Sequence, residues 1–156
     1  MSVQEPARFV AVHGAHDMVR CLREALAPLV PALVPPLRQL LATREPTCMA
    51  SACLVLSDML HHGGPAFCTA LVPHFWQFGQ CLNLLLSNAA IHVSAGYNSR
   101  TRICVAKLVH HMLAQIQEGG GAKAGQLLQR YTPLYSPPVI GTEAVGRRST
   151  CVLHAV

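Results

Sequence analysis

Charge is scarce in this sequence: Asp, Glu, Lys and Arg together make up 12% of the 156 residues, and only seven of them are acids. So few carboxylates leave little material for general acid–base chemistry. No nucleophile elbow, HExxH pair or spaced carboxylate couple occurs, and an enzyme is not expected. Aromatics stop at 5%, with a single tryptophan, and no stretch alternates apolar and polar residues as a half-buried strand would. Unbroken apolar runs are missing too, since Pro28, Pro31, Pro35 and Pro36 interrupt the longest ones. The start, MSVQEPARFVAVHGAHD, has no basic stretch leading into an apolar one, so neither a membrane span nor a signal peptide is expected.

Metal chemistry fails on spacing. Cys48 and Cys53 lie about one turn apart and His61–His62 and His110–His111 are doublets, but structural zinc wants CxxC pairs or a His pair one turn apart to match them. No metal and no other cofactor is expected. Seven cysteines, an odd number scattered over apolar faces, read as reduced, buried thiols of a cytosolic compartment. The run GGGAKAG at Gly119–Gly125 lacks the G-K-[ST] of a phosphate loop and has no strand before it, so it reads as a helix break and no small-molecule substrate is implied.

Apolar residues, by contrast, are plentiful at 51%, enough for a sizeable core in one domain, and Leu and Ala dominate the periodic segments. The class is all-α. Within LVPHFWQFGQCLNLLL, Leu71–Leu86, the residues Leu71, Phe75, Phe78, Leu82 and Leu85 form one helical stripe, with Pro73 in the first turn and Trp76 one position round from Phe75. Sliding LVP at Leu71–Pro73 back by 42 positions lands on a second LVP at Leu29–Pro31, with Leu33 under Phe75 and Leu40 under Leu82. A helix pair recurring at that period fits a HEAT or armadillo solenoid and, with only two copies, fits an irregular helical bundle equally.

In chain order, residues 1–15 read as an irregular lead-in with a break at Gly14, and 16–135 as the helical-repeat domain. A short helix is expected over Asp17–Leu26, ended by Pro28, then one over Pro31–Ala42 kinked or split at Pro35–Pro36. A turn at Thr43–Glu45 leads to a helix from Pro46 to His62, closed by Gly63–Gly64, with Pro65–Ala70 bridging to the central helix. Ser87–Asn98 reads as a loop; Ser99–Gln117 is a helix burying Val105, Val109, Met112 and Ile116. Gly119–Gly121 stops that helix, a last short one covers Lys123–Tyr131, and residues 136–156 form an extended tail, of which Gly141–Val156 is expected to order only against something else.

The net charge of +5 is unevenly spread. Before Tyr97 five bases and five acids cancel, whereas from Tyr97 onward Arg100, Arg102, Lys107, Lys123, Arg130, Arg147 and Arg148 face only Glu118 and Glu143. Arg100, Lys107 and His111 recur at helical spacing as a basic ridge, which draws an acidic partner or is merely a solvated face. Without a recognition-helix arginine cluster or interleaved stacking aromatics, nucleic acid is not the expected partner.

HDM at His16–Met18, two residues after Gly14, is followed by Pro28, Pro31 and Pro36, by ALVP at Ala70–Pro73 and by the closing Tyr131–Pro133–Tyr135 pattern. This ordered set, from about Ala7 to Ser136, resembles the parkin co-regulated protein family. The resemblance implies an armadillo/HEAT-like α-superhelix, non-enzymatic, in cilia and flagella, associated with microtubules and lining doublet microtubules from inside near the inner junction. Tubulin and neighbouring doublet proteins are the implied partners, and family members also bind small adaptor proteins in sperm. Relative to typical members the sequence lacks the longer N-terminal arm and adds a tail after Ser136. Read with the charge pattern, Arg100, Arg102, Lys107, His111, Lys123, Arg130, Arg147 and Arg148 become the candidate contacts to acidic tubulin. The alternative is a soluble helical adaptor whose groove holds a partner protein; a nucleic-acid binder comes third.

Overall fold

The computed structural model describes residues 4–43, 45–87 and 99–137. Among them every element is helical: α1 (Gln4–Leu22), a 3₁₀ segment (Arg23–Leu29), α2 (Val30–Ala42), α3 (Pro46–Leu71), a second 3₁₀ segment (Val72–Gln77), α4 (Gly79–Leu86) and α5 (Ser99–Tyr131). Helix α3 is the central element. Its Met49, Cys53, Leu56 and Leu60 recur at i, i+4, i+7 and i+11, all buried. It is packed by α1, the first 3₁₀ segment and α2, and also by α5, while α4 closes on α5.

Both long helices are broken at glycine, as the sequence predicts. Gly64 (φ 60°, ψ −157°) divides α3, and Gly121 (φ 66°, ψ −155°) divides α5. This backbone region is essentially closed to residues with a Cβ. The breaks lie beside each other, because a Cβ on Gly119 would sit 2.6 Å from Cys68 Cβ and 3.4 Å from Pro65 Cα. One on Gly120 would sit 2.6 Å from Val72 Cγ2, so the glycines also let α5 settle closely on α3. Thr69 Oγ1 donates to the Gly119 carbonyl at 3.2 Å across the same contact.

Four expectations need correction. The lead-in is helix: α1 runs through Gly14, whose added Cβ would meet nothing, and continues to Leu22. Alanines at 7, 11 and 15 offset the roughly 1 kcal/mol cost of one glycine, and packing on α3 favours the helix further. The helix expected over Asp17–Leu26 ends instead at Leu22, where Arg23 takes φ 44° and the chain tightens to 3₁₀ geometry. Next, α2 passes through Pro35 and Pro36 without splitting; both prolines are exposed, so the carbonyls they leave unbonded have access to water. Finally, Leu71–Leu86 is not one helix. Pro73 opens a 3₁₀ segment, Phe78 leaves helical geometry at φ −132°, and α4 starts at Gly79. The stripe survives the break: Leu71, Phe75, Phe78, Leu82 and Leu85 are all buried, with Phe75 and Phe78 in a T-shaped contact at 5.3 Å.

The two LVP copies both sit at junctions between α-helix and 3₁₀ segment but in opposite order, and their burial diverges. Leu82 is wholly buried, while its counterpart Leu40 is 44% exposed. The end of α5 is tied down by Thr132, whose hydroxyl donates to the Leu128 carbonyl at 2.7 Å, and by Asn83 Oδ1, which accepts from the Leu134 amide at 3.1 Å. Taken as one stretch, Phe9–Ala42 has the length of a membrane-crossing helix and, over its most apolar 18 residues, a mean hydropathy of 1.3. In the fold it is interrupted by the 3₁₀ segment, and α1 and α2 each pack on α3. Residues 88–98 of the expected loop and the Gly141–Val156 tail lie outside the described residues.

Candidate interaction surface

Helix α5 carries most of the predicted basic contacts, and its break decides how they group. Lys107 and His111 stand exposed on successive turns of the first part, one helical step apart. Lys123 and Arg130 stand exposed on the part after Gly121. Among the described residues Lys107, Lys123 and Arg130 have no salt-bridge partner, so their charge is available to an outside anion. The Arg130 guanidinium lies 5.5 Å from the centroid of the Tyr131 ring, a cation–π contact that holds it near the end of α5. Arg100 and Arg102 are placed on the first turn of α5, though their side chains lie outside the described residues, as do Arg147 and Arg148 altogether.

The fold also holds a feature the sequence reading did not identify. Helices α1 and α2 both rest on α3 but diverge from the 3₁₀ segment that joins them, leaving a half-open cavity of about 320 Å³. Its walls are Val12 and Ala15 of α1, Leu33 and Leu37 of α2, and Val55 and Met59 of α3. Two polar side chains on its lining are turned to their own helix: Ser51 Oγ donates to the Thr47 carbonyl at 2.8 Å, and the Cys48 thiol to the Glu45 carboxylate. One polar contact spans the α1–α3 boundary, between His16 Nδ1 and the Asp58 carboxylate. The signal for this wedge was present in the first LVP copy, whose Leu33, Leu37 and Leu40 form a stripe with too little covering it.

Titratable groups in the core favour inertness. Burial pushes the Cys53 thiol up to about 12 and raises that of Cys68, so both stay protonated and poorly nucleophilic. Cys21, against the expectation of buried thiols, is exposed. Tyr135 is raised by burial and, less, by Glu118; its hydroxyl is buried with no hydrogen-bond partner among the described residues, and its ring lies 5.8 Å from that of His110. Among the described residues no three His, Cys, Asp or Glu side chains converge in a way that could hold a metal ion.

The described surface thus carries two distinct features, exposed charge on α5 and an apolar wedge formed by α1, α2 and α3. No curated protein matches the sequence. The family model for the parkin co-regulated protein, however, matches residues 1–137, through the end of the described helices and short of the tail, and the chain belongs to the parkin co-regulated protein family.

Proposed function

We propose that the protein is a structural, non-enzymatic microtubule inner protein of ciliary or flagellar doublets, an armadillo/HEAT-like scaffold that binds tubulin in the lumen at or near the inner junction and stabilises the doublet. Family membership over residues 1–137 carries this reading. The layered helices around α3 and the exposed Lys107, Lys123 and Arg130 of α5 support it physically. Tubulin is strongly acidic, and a broad helical surface that meets it across many weak contacts needs no deep pocket. Each exposed ion pair contributes only about 0–1 kcal/mol, so retention rests on many contacts and on a lattice that offers its sites repeatedly.

Tagged protein expressed in ciliated cells should remain with demembranated axonemes and be released as salt is raised. Recovery in the soluble fraction with one stoichiometric non-tubulin partner would replace this reading with that of a soluble adaptor. Density for the chain inside intact doublets would give its place on the lattice.

A further inference from the structure

The wedge between α1 and α2 has no occupant among the described residues and is badly suited to water. A volume of about 320 Å³ has room for roughly ten waters at about 30 Å³ each, yet a buried water needs two to four polar partners. The Ser51 hydroxyl and Cys48 thiol on its lining are engaged within α3 and its N-cap residue. Apolar side chains are what this lining fits.

Such side chains occur outside the described residues. Residues 151–156, CVLHAV, carry no Asp, Glu, Lys or Arg, and five of the six are hydrophobic. They follow Gly141–Thr150, which is polar and holds two glycines and two arginines. Of the other undescribed stretches, 88–98 (NAAIHVSAGYN) is also uncharged but is tethered at both ends, to α4 and to α5, 138–140 directly follows Pro137, and 1–3 is too short. Reach is sufficient. The described chain stops at Pro137, beside α4 and α5, and the thirteen residues 138–150 span up to about 43–47 Å when extended. Passing around α3 to the wedge crosses two helix layers, about 20 Å at 8–10 Å per packed pair.

We propose that residues 151–156 dock in cis into the apolar wedge formed by α1, α2 and α3, so that the tail beyond the family-matched region closes the layer its own domain leaves open. Val152, Leu153 and Val156 supply the side chains that fill the space between Ala15 and Leu37. Being on the same chain, the segment needs little intrinsic affinity to stay bound.

Hydrogen exchange read by mass spectrometry on the full chain tests this. Amides of 151–156 should exchange more slowly than a random chain, and Val152→Asp/Leu153→Asp should lower that protection about tenfold or more, as expected for losing two buried apolar side chains. Ala15→Leu, which fills the wedge from α1, should release the segment equally while leaving the melting temperature unchanged or raised. The proposal is overturned if 151–156 exchanges freely in the unmodified chain, or if its protection survives Ala15→Leu. Protection that grows with protein concentration alongside a dimer in light scattering would overturn it in favour of a neighbour's tail. So would a co-purified apolar small molecule in native mass spectra with the tail free.

Discussion

The α1–α2 layer and the α3–α4–α5 body are built from similar apolar sequence and end in different states. In the body, glycines at 119 and 120 allow α5 to lie against Cys68 and Val72, and Phe67, Phe75, Phe78, Met112 and Leu113 are sealed. In the layer, helices splay, a cavity opens, and Phe9, Val10, Met18, Leu29 and Leu40 face outward. Stripe and periodicity are present in both. What separates them is whether a neighbouring backbone can come close enough to cover the stripe, a matter of small residues on the opposing helix more than of the stripe itself.

That contrast can be broken most sharply by truncation on each side. Phe78→Ala, in the sealed body, should cost about 3–5 kcal/mol in chemical denaturation, whereas Leu40→Ala on the open layer should cost less than about 1 kcal/mol. Similar costs for the two would erase the distinction. Alkaline titration sharpens it next. Burial raises Cys53 from 9.0 to about 12, so its contribution is complete below about pH 9 and is lost as pH climbs toward 12, at most about 4 kcal/mol in total. Denaturation curves between pH 8 and 11 should fall for the unmodified chain and flatten for Cys53→Ala. Gly121→Ala, forcing a Cβ onto φ 66°, should cost about 1–3 kcal/mol and lower the melting temperature, although open space surrounds it. Smaller again, Asp58→Ala should change stability by less than about 1 kcal/mol, because its pairing with His16 is partly solvated, the two side chains being 30% and 18% exposed. On the proposed tubulin contact, charge reversal at Lys107 and Lys123 should leave stability alone and lower the salt concentration that releases the protein from doublets, which separates binding from folding.

Much of the body was legible. The stripe from Leu71 to Leu85 and the buried Val105, Val109, Met112 and Ile116 follow from helical spacing, and both glycine breaks follow from composition. The irregular elements were not, because Pro73 and Phe78 change local geometry without changing the stripe, and 3₁₀ turns keep nearly the same faces over one or two turns. Gly14 was misread as a boundary since an exposed glycine costs a helix little when packing on α3 favours it. The family likeness was carried by spaced prolines and short motifs, and the match over residues 1–137 bears it out. The wedge escaped notice because the sequence shows the stripe of Leu33, Leu37 and Leu40 but not that the neighbouring helix leaves it partly uncovered. Of the eight basic residues, Lys107 and His111 lie exposed on successive turns before Gly121, and Lys123 and Arg130 on the segment after it, separated by the glycine break as expected.

The adjacent breaks at Gly64 and Gly121 also have a mechanical meaning. Two rods that bend at the same level, one nested in the other and clasped by Thr69 on Gly119, form a knee in which neither can straighten without levering its mate. Tension applied along α3 would thus be felt in α5, and a stiffening change at one bend would shift the load onto the other.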